Sequence, residues 1–304
     1  MRAQTADKPR IGWIGTGVMG FWMCRHLVEA GYAMSVYNRS PDKAKPLVEM
    51  GAVLKQSPAE VAADSDIVFT IVGFPKDVRE VILGRRGVLS ALSPGGIVVD
   101  MTTSEPALAC QLAEEGLQRQ VAVLDAPVSG GDVGAREARL SIMVGGDPEA
   151  FKRVEPLFRV MGKTVALMGP AGFGQHCKMA NQILIAGTMI GVVESLLYAH
   201  RAGLDREAVI AVIGQGAAGS WSINNLGPRI VAGNFEPGFM VDHFIKDMGI
   251  ALDEATRMKL ELPGLSLARR LYRKVKALGY GRKGTHALML ALEELNPPAW
   301  KVYE

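Results

Sequence analysis

Cysteine is scarce in this chain. Cys24, Cys110 and Cys177 are an odd three with no ligand spacing, which argues against a disulfide scaffold or a metal site and for reduced thiols in a cytoplasmic setting. Cys177 stands beside Lys178 and reads as a small buried hydrophobe before it reads as a nucleophile. Basic runs and aromatic-basic interleaving are also missing, and the formal net charge is only +3, so no nucleic-acid partner is expected. The longest apolar run, Ile183 to Val193, is too short to span a bilayer, and no membrane partner is expected either. The opening residues, Met1 to Arg10, are polar and carry neither a signal-peptide nor a transit-peptide pattern. No repeat or low-complexity segment occurs. What remains is a chain of 304 residues, 48% hydrophobic and 21% charged, long enough to bury a sizeable core and to form two domains.

The first half alternates strand and helix signals. Arg10 to Ile14 reads as a short strand. It runs directly into Gly15-Thr16-Gly17-Val18-Met19-Gly20, followed by a helix from Met19 to Ala30, Gly31 as its C-terminal cap, and a second strand from Met34 to Tyr37. Strand, glycine turn, helix and second strand are the setting that a dinucleotide fingerprint requires. The first glycine makes the tight turn, the second admits the pyrophosphate, and the third lets helix pack on strand. The pyrophosphate then meets the helix N-terminus. Where an NAD site usually carries an acid for the ribose 2′-hydroxyl, this chain has Asn38-Arg39-Ser40. An amide, a guanidinium and a hydroxyl can hold a 2′-phosphate that an acid would repel, which favours NADP over NAD. Ser57-Pro58-Ala59-Glu60 is a capping box with proline at the first helical position. Strands are expected at Ile67 to Val72, Ile97 to Met101, Val121 to Ala126, Leu140 to Val144 and Thr164 to Leu167, with helices at Lys76 to Leu83 and Glu105 to Arg119. Gly73-Phe74-Pro75 and Thr102-Thr103 then fall at the C-terminal ends of their strands, the edge where open α/β sheets bind ligands. Asp125-Ala126-Pro127-Val128-Ser129-Gly130-Gly131 ends another strand, and its glycine amides and serine hydroxyl make a concavity suited to a substrate carboxylate.

The stretch from Gly169 to Ser195 opens with a glycine-rich turn and sets Lys178, Asn181 and Gln182 at i, i+3 and i+4 before turning apolar on every side. Burial and the positive helix end would both lower the lysine pKa, as proton transfer near neutral pH requires. After Gly203 only helices are signalled: Asp205 to Ile213, Ser222 to Ala232, His243 to Met258, Leu265 to Leu278 and Thr285 to Leu295. Gly214 to Ser220 reads as a cleft-lining turn or a connector. Lys246-Asp247 reads by default as a surface ion pair. Tyr272 to Lys276 has the Tyr-x-x-x-Lys spacing of short-chain reductases, but so near the C-terminus it reads as a solvated helix face. The tail from Asn296 to Glu304 reads as loosely ordered.

Four of these blocks, in order, resemble the signatures of the β-hydroxyacid dehydrogenases: the glycine turn from Gly15 to Gly20, Asp125 to Gly131, Gly172 to Gln182, and Ile245-Lys246-Asp247. That group includes 3-hydroxyisobutyrate dehydrogenase, 2-hydroxy-3-oxopropionate reductase and glyoxylate/succinic semialdehyde reductases. The resemblance runs from about Arg10 to Leu295. It implies a 6-phosphogluconate dehydrogenase-like architecture: an α/β Rossmann domain (1–173) followed by an all-α domain (174–304), joined by a long interdomain helix and assembling as a homodimer or homotetramer. It further implies Lys178 and Asn181 as catalytic residues, and Ser129, Gly130, Gly131, Gln182 and Lys246 on the substrate. Gly15, Thr16, Gly17, Val18, Met19, Gly20, Asn38, Arg39, Ser40, Val72, Gly73, Thr103, Lys246 and Asp247 would hold NADP or NAD, with no metal. Two departures blur the substrate: Asn181-Gln182 replaces the Asn-Asn of many members, and Val72-Gly73 replaces a leucine-proline. The competing readings are an imine reductase-like enzyme and a non-catalytic NADP-binding module.

Overall fold

The computed structural model describes residues 8–297; the residues before Lys8 and the expected loose tail beyond Pro297 lie outside them. The chain divides into two compact units, Met1–Lys178 and Met179–Glu304. The first contains β1 (Ile11–Ile14), α1 (Gly20–Glu29), β2 (Met34–Tyr37), α2 (Lys45–Glu49), β3 (Val53–Leu54), α3 (Pro58–Ala63), β4 (Ile67–Thr70), α4 (Pro75–Leu83), β5 (Ile97–Asp100), α5 (Pro106–Leu117), β6 (Ala122–Asp125), β7 (Val128–Ser129), α6 (Gly131–Arg136), β8 (Leu140–Gly145), α7 (Pro148–Met161) and β9 (Gly162–Gly169). It also contains the start of α8 (Phe173–Arg201), within which the division falls.

The strands form one sheet in the order β3-β2-β1-β4-β5-β6-β8-β7, with β9 on β8. From β3 to β6 all pairings are parallel, as the β-branched runs buried on both faces require. The chain winds outward from β1 in one direction and from β4 in the other. That reversal makes the crevice at the C-terminal ends of β1 and β4 the natural ligand position. Beyond β6 the sheet becomes mixed, because β8 runs antiparallel to both β6 and β7. The two-residue strands β3 and β7 and the short helices α2 and α6 were not foreseen in the sequence. Trp13, Phe69 and Phe158 fill one core, with ring centroids 5.4 and 6.1 Å apart along that series. The capping box at α3 is offset: Ser57 Oγ accepts from the Glu60 amide at 3.2 Å, but Glu60 reaches back to the amide of Gln56 instead of Ser57.

The second unit holds the rest of α8 with α9 (Arg206–Ile213), α10 (Trp221–Asn225), α11 (Gly227–Val231), α12 (Val241–Arg257), α13 (Pro263–Val275) and α14 (Leu288–Leu295). Asp205 caps α9 through the Ala208 amide at 2.9 Å. The single helix expected over Ser222 to Ala232 is broken at Leu226, where Gly227-Pro228 restarts it as α11, because proline fits a first turn and not a helix interior. The helix expected to reach Leu278 ends at Val275 in a distorted turn with Gly279 at φ 90°. Tyr272 corrects the solvated-face reading of its segment. It is fully buried with Leu265, Ala268 and Val275 on one face of α13, and its hydroxyl donates to the Thr285 carbonyl at 2.9 Å. By length and composition α8 is long enough to cross a membrane, which the expected apolar run Ile183 to Val193 was not; about a third of its most apolar window is buried. Ala186, Met189, Val193 and Leu196 of that helix belong to the second core.

Candidate active site

The glycine turn after β1 is built for a ligand that approaches the backbone. Gly15 has φ 100°, and a Cβ there would lie 2.0 Å from the Ile71 carbonyl oxygen. Only glycine allows β1 to turn this tightly against the end of β4. A Cβ on Gly20 would lie 2.1 Å from the Gly15 carbonyl oxygen, so α1 can start this close to the turn only with glycine at its first position. A Cβ on Gly17, in contrast, would meet no protein atom within 4 Å. That side of the turn opens to solvent at the start of α1, and exposed Val18 and half-buried Met19 flank it. Thr16 is 3% exposed, and its hydroxyl makes no hydrogen bond within the described protein. Free backbone at a helix N-terminus, an unspent hydroxyl and open space fit a dinucleotide diphosphate.

The residues after β2 divide their work. Asn38 uses its carboxamide internally: Oδ1 accepts from the Thr16 amide at 3.1 Å, and Nδ2 donates to the Ser40 carbonyl at 2.8 Å. It therefore ties the loop after β2 to the glycine turn. The Arg39 side chain is 88% exposed, with Nη1 3.6 Å from Asp77 Oδ1. Asp77 in turn accepts from the Phe74 amide at the start of α4. Arg39 and Ser40 are the exposed residues of this loop.

Val72, Gly73 and Thr103 are half-buried in the loops that follow β4 and β5. Val72 is fixed by its amide, which donates to Thr102 Oγ1 at 2.9 Å. Ser129 closes β7 opposite Ser141. Gly130 and Gly131 follow with φ 133° and 65°, a backbone that glycine adopts without strain.

Beneath these loops lies a buried polar network that sequence reasoning passed over. Asp100, at the end of β5, accepts from Thr70 Oγ1 at 2.8 Å and the Thr102 amide at 3.1 Å. Burial pushes its carboxyl up to about 6 against those two donors, and the nearby Asp125 carboxyl pushes the same way. Asp125, at the end of β6, accepts from the amides of Gly172 at 2.7 Å and Gln175 at 2.8 Å. Its pKa too is raised by burial, against those amides. Gln175 is fully buried, donates to the Thr102 carbonyl at 2.8 Å and accepts from the Ser104 amide at 2.9 Å. One signal was present in the sequence: Gly172 offers no capping side chain for the first turn of α8, so an acceptor had to come from elsewhere. Lys178, three residues after Gln175, is 6% exposed.

In the second unit, Asn181 Nδ2 donates to Gln182 Oε1 at 2.8 Å, and Gln182 Nε2 donates to Asp247 Oδ2 at 2.6 Å. Lys246 Nζ lies 2.9 Å from Asp247 Oδ1, with the two side chains 12% and 1% exposed. The pair is thus not the surface ion pair expected by default. Asp247 sits on the inner face of α12 beside Phe244 and Met248, and its carboxylate orients Gln182 and through it Asn181. The three cysteines are free thiols, Cys24 buried, Cys110 exposed and Cys177 in between.

Comparison with known proteins places this geometry. Residues 10–169 match the family model described as the NAD binding domain of 6-phosphogluconate dehydrogenase, and residues 172–292 match the NAD-binding domain of NADP-dependent 3-hydroxyisobutyrate dehydrogenase. A probable mitochondrial 3-hydroxyisobutyrate dehydrogenase-like protein of Arabidopsis thaliana is 55% identical over 96% of this chain and 87% of its own length. The 2-hydroxy-3-oxopropionate reductase of Escherichia coli is 38% identical over 93% of this chain and 97% of its own. A crystal structure of 3-hydroxyisobutyrate dehydrogenase from Salmonella typhimurium superposes with a TM-score of 0.86 at 28% identity, covering 93% of this chain and 99% of that one.

Proposed function

The chain belongs to the β-hydroxyacid dehydrogenase family of NAD(P)-dependent oxidoreductases, and from that premise we propose that it interconverts a short carboxylated aldehyde and its hydroxy acid, with NADP preferred to NAD. The substrate class is that named for the relatives, 3-hydroxyisobutyrate or 2-hydroxy-3-oxopropionate. The nicotinamide, when bound, gives or takes the hydride at the carbinol carbon. In the reducing direction Lys178, as an ammonium, hands a proton to the developing alkoxide oxygen; in the oxidising direction its neutral amine takes the hydroxyl proton. Ser129 and the amides of Gly130 and Gly131 hold the substrate carboxylate, and Asn181 orients the reacting end. Gln182, Lys246 and Asp247 support that end. Thr16, Val72, Gly73 and Thr103 line the cofactor, and Arg39 with Ser40 receives the 2′-phosphate. Assembly as a homodimer or homotetramer belongs to the same reading, supported by Leu184 and Tyr198 of α8, 72% and 75% exposed.

The observation that carries the proposal is Lys178 itself. Lysine is among the residues least often buried, so a lysine that is 6% exposed in the second turn of α8 stands out as a candidate for chemistry. Initial-rate oxidation of NADPH and NADH with short aldehydes bearing a carboxylate, beside the same aldehydes as methyl esters, tests it. The proposal expects turnover with the free acids, loss of most of it with the esters, and the higher kcat/KM with NADPH. Equal rates with acid and ester would sink the carboxylate assignment, and equal kcat/KM for the two cofactors the NADP preference.

A further inference from the structure

The first turn of α8 is anchored by groups distant in sequence. Asp125 supplies both oxygens to the amides of Gly172 and Gln175, a helix cap delivered from the end of β6, four residues before Ser129. Gln175 then spans the loop after β5 with a complete amide pairing, Nε2 to the Thr102 carbonyl and Oε1 to the Ser104 amide. Between those two bonded residues lies Thr103. Lys178 follows Gln175 by three positions, on the same side of the helix. One buried side chain therefore fixes the lysine helix to the loop of β5, and one buried carboxylate fixes it to the strand that leads to the Ser129 turn.

We propose that Gln175, locked by Asp125, is a positioning residue for Lys178: it sets the height and rotation of the first turns of α8 against the β5 loop and the Ser129 turn. The proposal rests on the acid–base reading of Lys178. Gln175 suits the task because its amide offers one donor and one acceptor where the loop offers a carbonyl and an N–H. A carboxylate at the same place would present two acceptors and oppose the Thr102 carbonyl. The charged groups bonded around this position are themselves carboxylates, Asp125 on the Gln175 amide and Asp100 on the Thr102 amide, and both would repel an added negative charge.

The test combines a cycle and a pH profile. Gln175→Ala is expected to lower kcat about 10- to 100-fold, as small misplacements of a reacting group do, while the NADPH Kd stays within about threefold of wild type. In a Lys178→Ala background the same change should cost less than about threefold more, because groups acting through one residue are not additive. Full additivity would overturn the proposal, as would an unchanged kcat in Gln175→Ala. Near-wild-type turnover of Lys178→Ala alone would instead remove the acid–base reading, an outcome separable from the other two. Should Gln175→Ala not fold, Gln175→Glu keeps the question open to experiment. When protonated its carboxyl restores both bonds, so the ratio of variant to wild-type kcat should be near one at pH 5 and fall by about tenfold or more by pH 8. A ratio constant across that range contradicts the assignment.

Discussion

Replacing Asp100 with asparagine isolates the energetic consequence of the buried network. Asp100 is 3% exposed and its carboxyl is pushed up to about 6 by burial, from an ordinary value of 3.8. A carboxyl whose folded-state pKa is raised lends its full contribution to stability below the unfolded value and loses it as pH climbs through the folded one. A gap of about two units corresponds to about 3 kcal/mol in total, of which about 2 kcal/mol is lost between pH 4.5 and pH 8. Asparagine keeps an acceptor for Thr70 Oγ1 and the Thr102 amide but does not titrate. Its new N–H₂ group carries a constant cost where it lacks a partner, about 1 to 3 kcal/mol. That constant cancels when one variant is compared with itself at two pH values. Urea unfolding of wild type and Asp100→Asn at pH 4.5 and pH 8 should therefore show the stability difference moving by about 2 kcal/mol in favour of the variant at the higher pH. A difference that stays constant, or moves the other way, would refute the linkage argument and with it the raised carboxyl assigned to this buried corner.

Three cofactor-site substitutions follow from the geometry. Arg39→Ala should raise the Kd for NADPH about 10- to 100-fold, the worth of one or two charge-assisted hydrogen bonds, and leave the NADH Kd within about threefold; titration by fluorescence checks both, and equal losses would remove Arg39 from the 2′-phosphate. Gly17→Ala should leave the Tm almost unchanged, because its Cβ meets no protein atom within 4 Å, yet weaken dinucleotide binding by about tenfold or more. Gly15→Ala, whose Cβ would lie 2.0 Å from a carbonyl oxygen, should lower stability itself by more than about 1 kcal/mol. Thermal melts with and without NADPH separate the two glycine classes, and identical behaviour would contradict the division.

The features legible in the sequence were those written locally. The glycine turn between β1 and α1, the strands at Ile67 and Ile97, and the Asp205 cap each depend on neighbours within a few residues, and the structure has them within a residue or two of the expected ends. What escaped depends on contacts far apart in the chain. Nothing near Gln175 announces that its amide will pair across 71 to 73 residues with Ser104 and Thr102, and nothing near Val128 announces a two-residue strand on β8. Lys246-Asp247 and Tyr272 were misread for the same reason: polar side chains on amphipathic helices look solvated until the packing partner is known. In α12 that partner is Gln182, and in α13 it is the Thr285 carbonyl. The Gly227-Pro228 break, in contrast, is legible as punctuation in the sequence, although the helix expected over Ser222 to Ala232 runs across it.

The most direct test of the account compares initial rates of carboxylated-aldehyde reduction for wild type and Lys178→Ala, with NADPH binding measured on both. The account predicts a kcat lower by about 10²- to 10⁴-fold, the usual worth of a positioned proton donor, with the NADPH Kd within about threefold. Turnover within a factor of about three of wild type would contradict it.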